Sequence, residues 1–375
     1  MNTNIHIALF VAVLFISLFY TTRPTLKRKA NIVRLITIIM TAFSGLRSWW
    51  MGDLIKYYTL YRNCNGINWQ ETLTEKWSNV GIRVFFRLTG AVGISYDVCI
   101  FVIAAFVAVS LGILIYRYST SPYVSYLMYI GMGFYIFTFS GLKQTIAMGF
   151  LCFAMMGILE DRPVKFLVWT LVGAFFHAPA FVFLLAYPFA HKKIDRWYIL
   201  FIAAGFVFVF AFRNRLVLML SALYQDDADA YVTANKIIGG RFIMMVAILV
   251  GGYYLRPVRR RDATYAKVYN IMVLAAFFQT FSVFNNVFSR LTDYFYQFIV
   301  VFLPMALRPC GGLASEIAQS ESPGYYRHRD IYTIAVVAIS AYAIYYYWGY
   351  IHGSGDLLNN FYFLWQIDPY SLYGS

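Results

Sequence analysis

Long apolar runs alternate with short polar stretches, most of them basic, from one end of the chain to the other. Runs long enough to cross a bilayer lie near Ile5–Tyr20, Ile32–Leu46, Tyr96–Tyr116, Tyr123–Phe139, Leu142–Leu159, Trp197–Phe212, Phe242–Leu255, Val268–Val283, Leu291–Leu307 and Ile331–Tyr350. Several are shorter than the roughly 20 residues an untilted span needs. The run Val164–Ala190 is too long for one span and too short for two. Pro179 at its middle removes a backbone donor and clashes with the preceding turn, which predicts two short helices meeting at His177. The pattern predicts an all-α, polytopic integral membrane protein of about 10–12 transmembrane helices, counting that broken pair. It forms a single transmembrane helical domain over 1–375, with two longer outer-side loops, about 47–95 and 213–241.

Composition agrees. The chain is 61% hydrophobic and 13% charged, against roughly 45–50% and 25% for a soluble domain. Net charge is +14, but the basic residues flank membrane runs and do not form one patch. They read as topology and lipid contact, with membrane lipids as partners, and no nucleic-acid motif is present. Most of the 31 basic residues fall in loops assigned to the cytoplasm, including the cluster Arg23, Lys27, Arg28 and Lys29 after the first run. That cluster follows the apolar run and does not precede it, so the N-terminus is not a cleaved signal peptide and Met1 is expected outside. Cys64, Cys99, Cys152 and Cys310 have neither disulfide-framework nor metal-ligand spacing.

Basic residues on the outer side need a reason, since the topology rule disfavours them there. The first outer segment opens with GLRSWWMGDLIKYYTLY, Gly45 to Tyr61. It carries Arg47, Trp50, Asp53, Tyr57 and Tyr58 at the exit from a span. Asp53 and Tyr57 are four apart and would share a helix face. An interfacial aromatic belt with a snorkelling Arg is the structural alternative. The same segment ends in GIRVFFRLTGAVGIS, which fits a helix lying flat on the interface. There Arg83 and Arg87 face one way and repel unless an anion joins them. Arg213, Arg215 and Arg241 bound the second outer loop, which holds the acidic patch Asp226, Asp227 and Asp229.

Lys143 begins a helix from the outer side, opposing the helix dipole unless an anion lies beside it. Gln144 next to it can donate to a sugar or phosphate. His177 lies at the middle of an apolar run, and ionisable groups there usually face the bundle interior. Near the end, Arg290, Asp293, Tyr294 and Gln297 recur at helical spacing, a polar stripe that should face protein or a cavity. Arg290 pairing with Asp293 one turn on is the alternative to a ligand-binding role. Arginine forks suit phosphates, so the outer cations as a set fit a diphosphate pocket.

Four pieces in order, GLRSWWMGDLIKYYTLY, SGLKQTIA, FFHAPAF and SRLTDYF, make the chain resemble the EpsG family, the Wzy-type polymerases of bacterial exopolysaccharide, capsule and O-antigen. Family members usually carry Arg-Gln where this chain has Lys143-Gln144, and a Thr between the residues matching Gly52 and Asp53. The Lys keeps the charge and loses the bidentate fork. The resemblance implies a metal-independent glycosyltransferase at the outer face of the inner membrane. Such an enzyme moves a growing glycan from undecaprenyl diphosphate to a lipid-linked repeat unit, with no cofactor. Its implied partners are undecaprenyl diphosphate-linked oligosaccharides, with a chain-length regulator and a flippase of the same pathway. Arg47, Lys143 and Arg290 would then bind the diphosphate, with Arg83, Arg87, Arg213, Arg215 and Arg241 as further phosphate contacts. Asp53 or His177 would be the base. Trp50, Tyr57, Tyr58, Gln144, Asp293 and Tyr294 would hold sugars. A lipid-linked glycan flippase, a membrane acyltransferase using His177, and a non-enzymatic assembly partner are the competing functions.

Overall fold

The computed structural model describes residues 3–22, 25–50, 52–66, 68–74, 80–224, 240–255, 262–283, 286–307, 323–353 and 361–367. Helix makes up 85% of it, without strands among the described residues, so the all-α expectation holds. In order the helices are α1 (Thr3–Thr22), α2 (Leu26–Gly45), α3 (Leu54–Gly66), α4 (Trp69–Thr74), α5 (Val80–Ala91), α6 (Tyr96–Tyr118), α7 (Pro122–Gly131), α8 (Phe134–Phe137), α9 (Leu142–Leu159) and α10 (Pro163–Phe176). A 3-10 helix (Ala178–Leu185) and α11 (Ala186–Ala190) follow, then α12 (Arg196–Tyr224), α13 (Gly240–Leu255), α14 (Ala263–Gln279), α15 (Asn286–Tyr296), α16 (Ile299–Leu307) and α17 (Pro323–Gly353).

Two helices, Tyr96–Tyr118 and Leu142–Leu159, are long and apolar enough to cross a membrane by length and composition. Shorter apolar helices include Asn4–Phe19, Pro163–Phe176, Arg196–Val209, Gly240–Tyr254 and Thr333–Gly349. Large apolar side chains point outward from several of these, among them Phe15, Phe201, Val207, Tyr254 and Ile334. A surface of that kind suits lipid, since soluble proteins rarely expose broad apolar patches.

Helix α9 lies at the centre: its apolar stretch is 83% buried. It packs along α10, where Phe150 stacks on Trp169 at 5.8 Å and 15°. Like-for-like apolar contact gains little in lipid, so close packing and polar ties must carry helix association. Gln144 and Gln297 supply such ties between α9 and α15, described below.

Two runs expected as single helices are interrupted, and a third breaks where it was expected to. The run from Tyr123 breaks at Gly133, which takes φ 81°, a left-handed conformation that costs glycine least. The run from Leu291 breaks between Tyr296 and Ile299. Val164–Ala190 breaks at His177, as Pro179 predicts: His177 is extended (φ −147°, ψ 100°), and a 3-10 helix carries the chain back. The first outer segment, expected as a long loop, folds into α3, α4 and α5. Helix α5 rests on the end of α10: a Cβ at Gly81 would come within 2.5 Å of the Phe175 carbonyl oxygen. The second outer loop is also shorter than expected, because α12 continues through Arg213 and Arg215 to Tyr224 and α13 starts at Gly240. Asp226, Asp227 and Asp229 lie outside the described residues, as do Lys76, Lys236 and Cys310.

Candidate active site

The site forms where four elements converge at the N-terminal end of α9. That end is capped by Gly141, which offers no side chain to the orphan N–H groups of the first turn. Tyr57, reaching across from α3, accepts from the Lys143 main-chain N–H instead. Burial pushes the Tyr57 hydroxyl up to about 12, so it stays neutral at physiological pH. Asp53 sits just ahead of α3. Its carbonyl accepts the first helical bond, from Tyr57 N at 3.2 Å, which sets both residues on one face as the four-residue spacing requires. The Asp53 carboxylate is about half exposed and pairs with Lys56 at 2.9 Å. It also lies within electrostatic reach of Lys143 and Tyr57.

Helix α15 closes the other side. The Gln144 amide donates to the carbonyl of Arg290 at 2.9 Å, fixing the Arg290 backbone beside the start of α9. About two turns after Arg290, Gln297 donates to the Met148 carbonyl at 3.4 Å. The Arg290 side chain is exposed. The charges of Arg290 and Lys143 act on each other and both act on His177. His177 is half buried at its break, and its Nδ1 is hydrogen-bonded to the hydroxyl of the fully buried Tyr294. Asp293, on the next position of the same helix, takes an ion pair from Arg241 of α13. The Arg241 guanidinium also covers the Tyr296 ring at 4.7 Å.

Lys143, Arg290 and His177 thus come from three separate elements, with Asp53 and Tyr57 from a fourth. The charges of two cations act on each other there, with one nearby carboxylate already shared with Lys56. An anion entering this space relieves their repulsion and meets the positive end of α9. Among the described residues no group of His, Cys, Asp and Glu is arranged to hold a metal ion.

The EpsG family model matches residues 30–363. The chain belongs to the EpsG family. No curated protein and no solved structure matches it. The family and the apolar helices together make this a membrane protein of polysaccharide biosynthesis, associated with a polymerase-like function.

Several residues expected at the site of this EpsG protein have other work. Arg47 is 2% exposed. It donates to the carbonyls of Ser44 and, at 3.1 Å, Thr138, and lies 5.2 Å from the Phe139 ring centre. Its main chain pairs with that of Phe363. Arg47 therefore braces the loop leading into α9, and its guanidinium is not brought among Lys143, Arg290 and His177. Arg83 is buried and donates to the Thr72 carbonyl, while Arg87 donates to the Cys64 carbonyl at 2.7 Å and covers the Trp69 ring at 4.9 Å. Both hold the outer helices to each other, and their four-residue spacing serves two different carbonyls. Tyr58 is buried and stacks on Trp49 at 4.0 Å, so it is core; Trp50 is half buried. Asp293 is committed to Arg241, which replaces the expected pairing with Arg290. Arg215 is exposed on α12. The partner of His177, Tyr294, was legible as part of the polar stripe, but its pairing with a histidine 117 residues away was not.

Proposed function

We propose that this protein is a Wzy-type polysaccharide polymerase. It transfers a growing glycan from undecaprenyl diphosphate to a lipid-linked repeat unit at the outer face of the bacterial inner membrane. In this reading the chain crosses the membrane about 10–12 times, its shorter apolar helices tilting or pairing to do so. The single observation that carries the reading is the convergence of Lys143, Arg290 and His177 with Asp53 and Tyr57 at the outer end of α9.

The chemistry follows from charge. The bond between the donor sugar's anomeric carbon and the diphosphate oxygen breaks, and negative charge grows on the departing undecaprenyl diphosphate. Lys143 and Arg290, held in advance, stabilise that charge as it develops. Arg290 supplies the fork that matches phosphate oxygens, Lys143 a point charge at a helix N-terminus. The acceptor hydroxyl forms the new bond to the anomeric carbon and gives its proton to a base. We assign that base to Asp53, since accepting a proton there removes a negative charge, whereas protonating His177 would put a third cation beside Lys143 and Arg290. His177, oriented by Tyr294, then donates to the substrate. Asp53 passes its proton to water as the lipid diphosphate leaves. A chain-length regulator and a flippase of the same pathway would act on either side of this step.

The test is the glycan ladder made by Arg290→Ala and Asp53→Asn variants expressed at the normal level. Lipid-linked single repeat units without polymer are expected. A full ladder from either variant removes that residue from the mechanism, and full ladders from both overturn the site.

A further inference from the structure

We infer that the C-terminal segment 361–367 carries an aromatic glycan-binding platform, formed by Trp365 on Phe363, beside the polymerisation site. The inference rests on the proposed polymerase reading and adds a sugar subsite to it.

The segment is a strap held by main-chain bonds. Ser48 N donates to the Tyr362 carbonyl at 2.7 Å, and Leu364 N to the Leu46 carbonyl at 3.0 Å. Within it Phe363 N donates to Gln366 Oε1 at 2.9 Å, and Gln366 N returns to the Phe363 carbonyl at 2.9 Å. Phe361 is buried against Phe43 and Phe139, anchoring the strap from below. On this base Trp365 lies flat against Phe363, with ring centres 4.5 Å apart and planes 6° from parallel. The indole is 69% exposed. A large apolar ring left open, with its other face already stacked, presents a flat face to the surroundings. Such a face is suited to binding a sugar, whose face of C–H groups carries partial positive charge and meets the negative face of the ring.

Position gives the platform its use. The strap pairs with Arg47, and Arg47 holds the Thr138 carbonyl. From Thr138 the chain runs through Phe139, Ser140 and Gly141 into Lys143. A glycan whose diphosphate end sits at Lys143 and Arg290 is therefore one loop away from the indole. Half-buried Trp50 lies two residues past the strap's anchor at Ser48.

The experiment uses the full-length protein in lipid nanodiscs. The probe is the oligosaccharide released by mild acid from the strain's own lipid-linked repeat units, followed by intrinsic fluorescence. Trp365→Ala should weaken binding about tenfold, Trp365→Phe less than threefold, and Trp365→Ala should shorten the polymer ladder at normal protein level. Equal affinity for Trp365→Ala and the native protein overturns the platform, as does absence of binding to the native protein. A Trp365→Ala defect confined to membrane insertion or thermal stability means an interfacial anchor only, and also overturns it. Binding that depends on Trp365 while Arg290→Ala still polymerises would sink the proposed mechanism and leave the platform standing.

Discussion

The two ends of α9 handle charge in opposite ways. At the C-terminal end, the inner one in the proposed topology, Glu160 accepts from Lys165 at 2.9 Å and from the Tyr118 hydroxyl at 3.0 Å, with Arg117 and Arg162 at 3.6 and 3.7 Å. Asp161 takes Lys267 at 2.7 Å and His191 at 2.8 Å. Every carboxylate there is surrounded by cations from neighbouring elements. At the N-terminal end, the outer one in the proposed topology, the charges of Lys143 and Arg290 act on each other, and the carboxylate near them is shared with a second lysine. Charge that only holds a fold together is matched locally, because an unmatched charge costs stability. The repulsion between Lys143 and Arg290 is what a diphosphate in the proposed site would relieve.

The comparison can be broken at its strongest point first. Arg290→Ala or Lys143→Ala should lower polymer formation by about 10²–10³-fold, the usual loss when one pre-placed charge donor is removed. Arg290→Lys should recover part of that loss, because it restores charge without the fork. Ladder formation in membranes reads both. Next, Tyr294→Phe removes the partner of His177 Nδ1 while leaving ring packing in place. We expect roughly tenfold slower polymerisation with an unchanged melting temperature, in line with loss of one orienting hydrogen bond. The third variant makes the outer end resemble the inner one. Ser140→Glu puts a carboxylate ahead of α9, where it neutralises Lys143 and favours the helix dipole. Stability should rise by about 0.5 kcal/mol while polymerisation falls, measured by melting in detergent and by the ladder.

The smallest effect belongs to the inner end. Glu160→Gln should cost about 1 kcal/mol of stability with polymerisation unchanged. Its pH dependence has a definite sign. The hydrogen bond from Lys165 holds the Glu160 carboxyl below its ordinary value, and that from Lys267 does the same for Asp161. Their stabilisation is present above the ordinary carboxylate range, about pH 4, and is lost as pH falls through the lowered folded values. Melting curves of the native protein should steepen their decline below about pH 4, and Glu160→Gln should flatten that decline.

Much of this was readable in the chain. Leu142–Leu159 was recovered to the residue, because an apolar run, polar only at Lys143, Gln144 and Thr145 in its first turn, is bounded by a Gly before it and a charged Glu160-Asp161-Arg162 turn after it. The break at His177 followed from Pro179. The breaks near Gly133 and after Tyr296 were hidden because the apolar pattern continues through them. Arg47 was misread for a physical reason: its hydrogen bonds are to carbonyls, one of them 91 residues away, and its main-chain partner is Phe363. Carbonyls leave no mark in a sequence, so a buried arginine bound to them looks the same as one awaiting phosphate. Arg83, bound to the Thr72 carbonyl, misleads in the same way. The polar stripe on α15 succeeded because its spacing alone fixes which side chains share a face.

The grip of Gln144 on Arg290 falls on the main-chain oxygen and spares the guanidinium. The base of that arginine is pinned like the foot of a crane, while its long arm can still swing. A phosphoryl group drifting outward during bond cleavage could be followed through several ångströms without any helix shifting. Shortening the arm, more than removing its charge, would then reveal whether turnover depends on that pursuit.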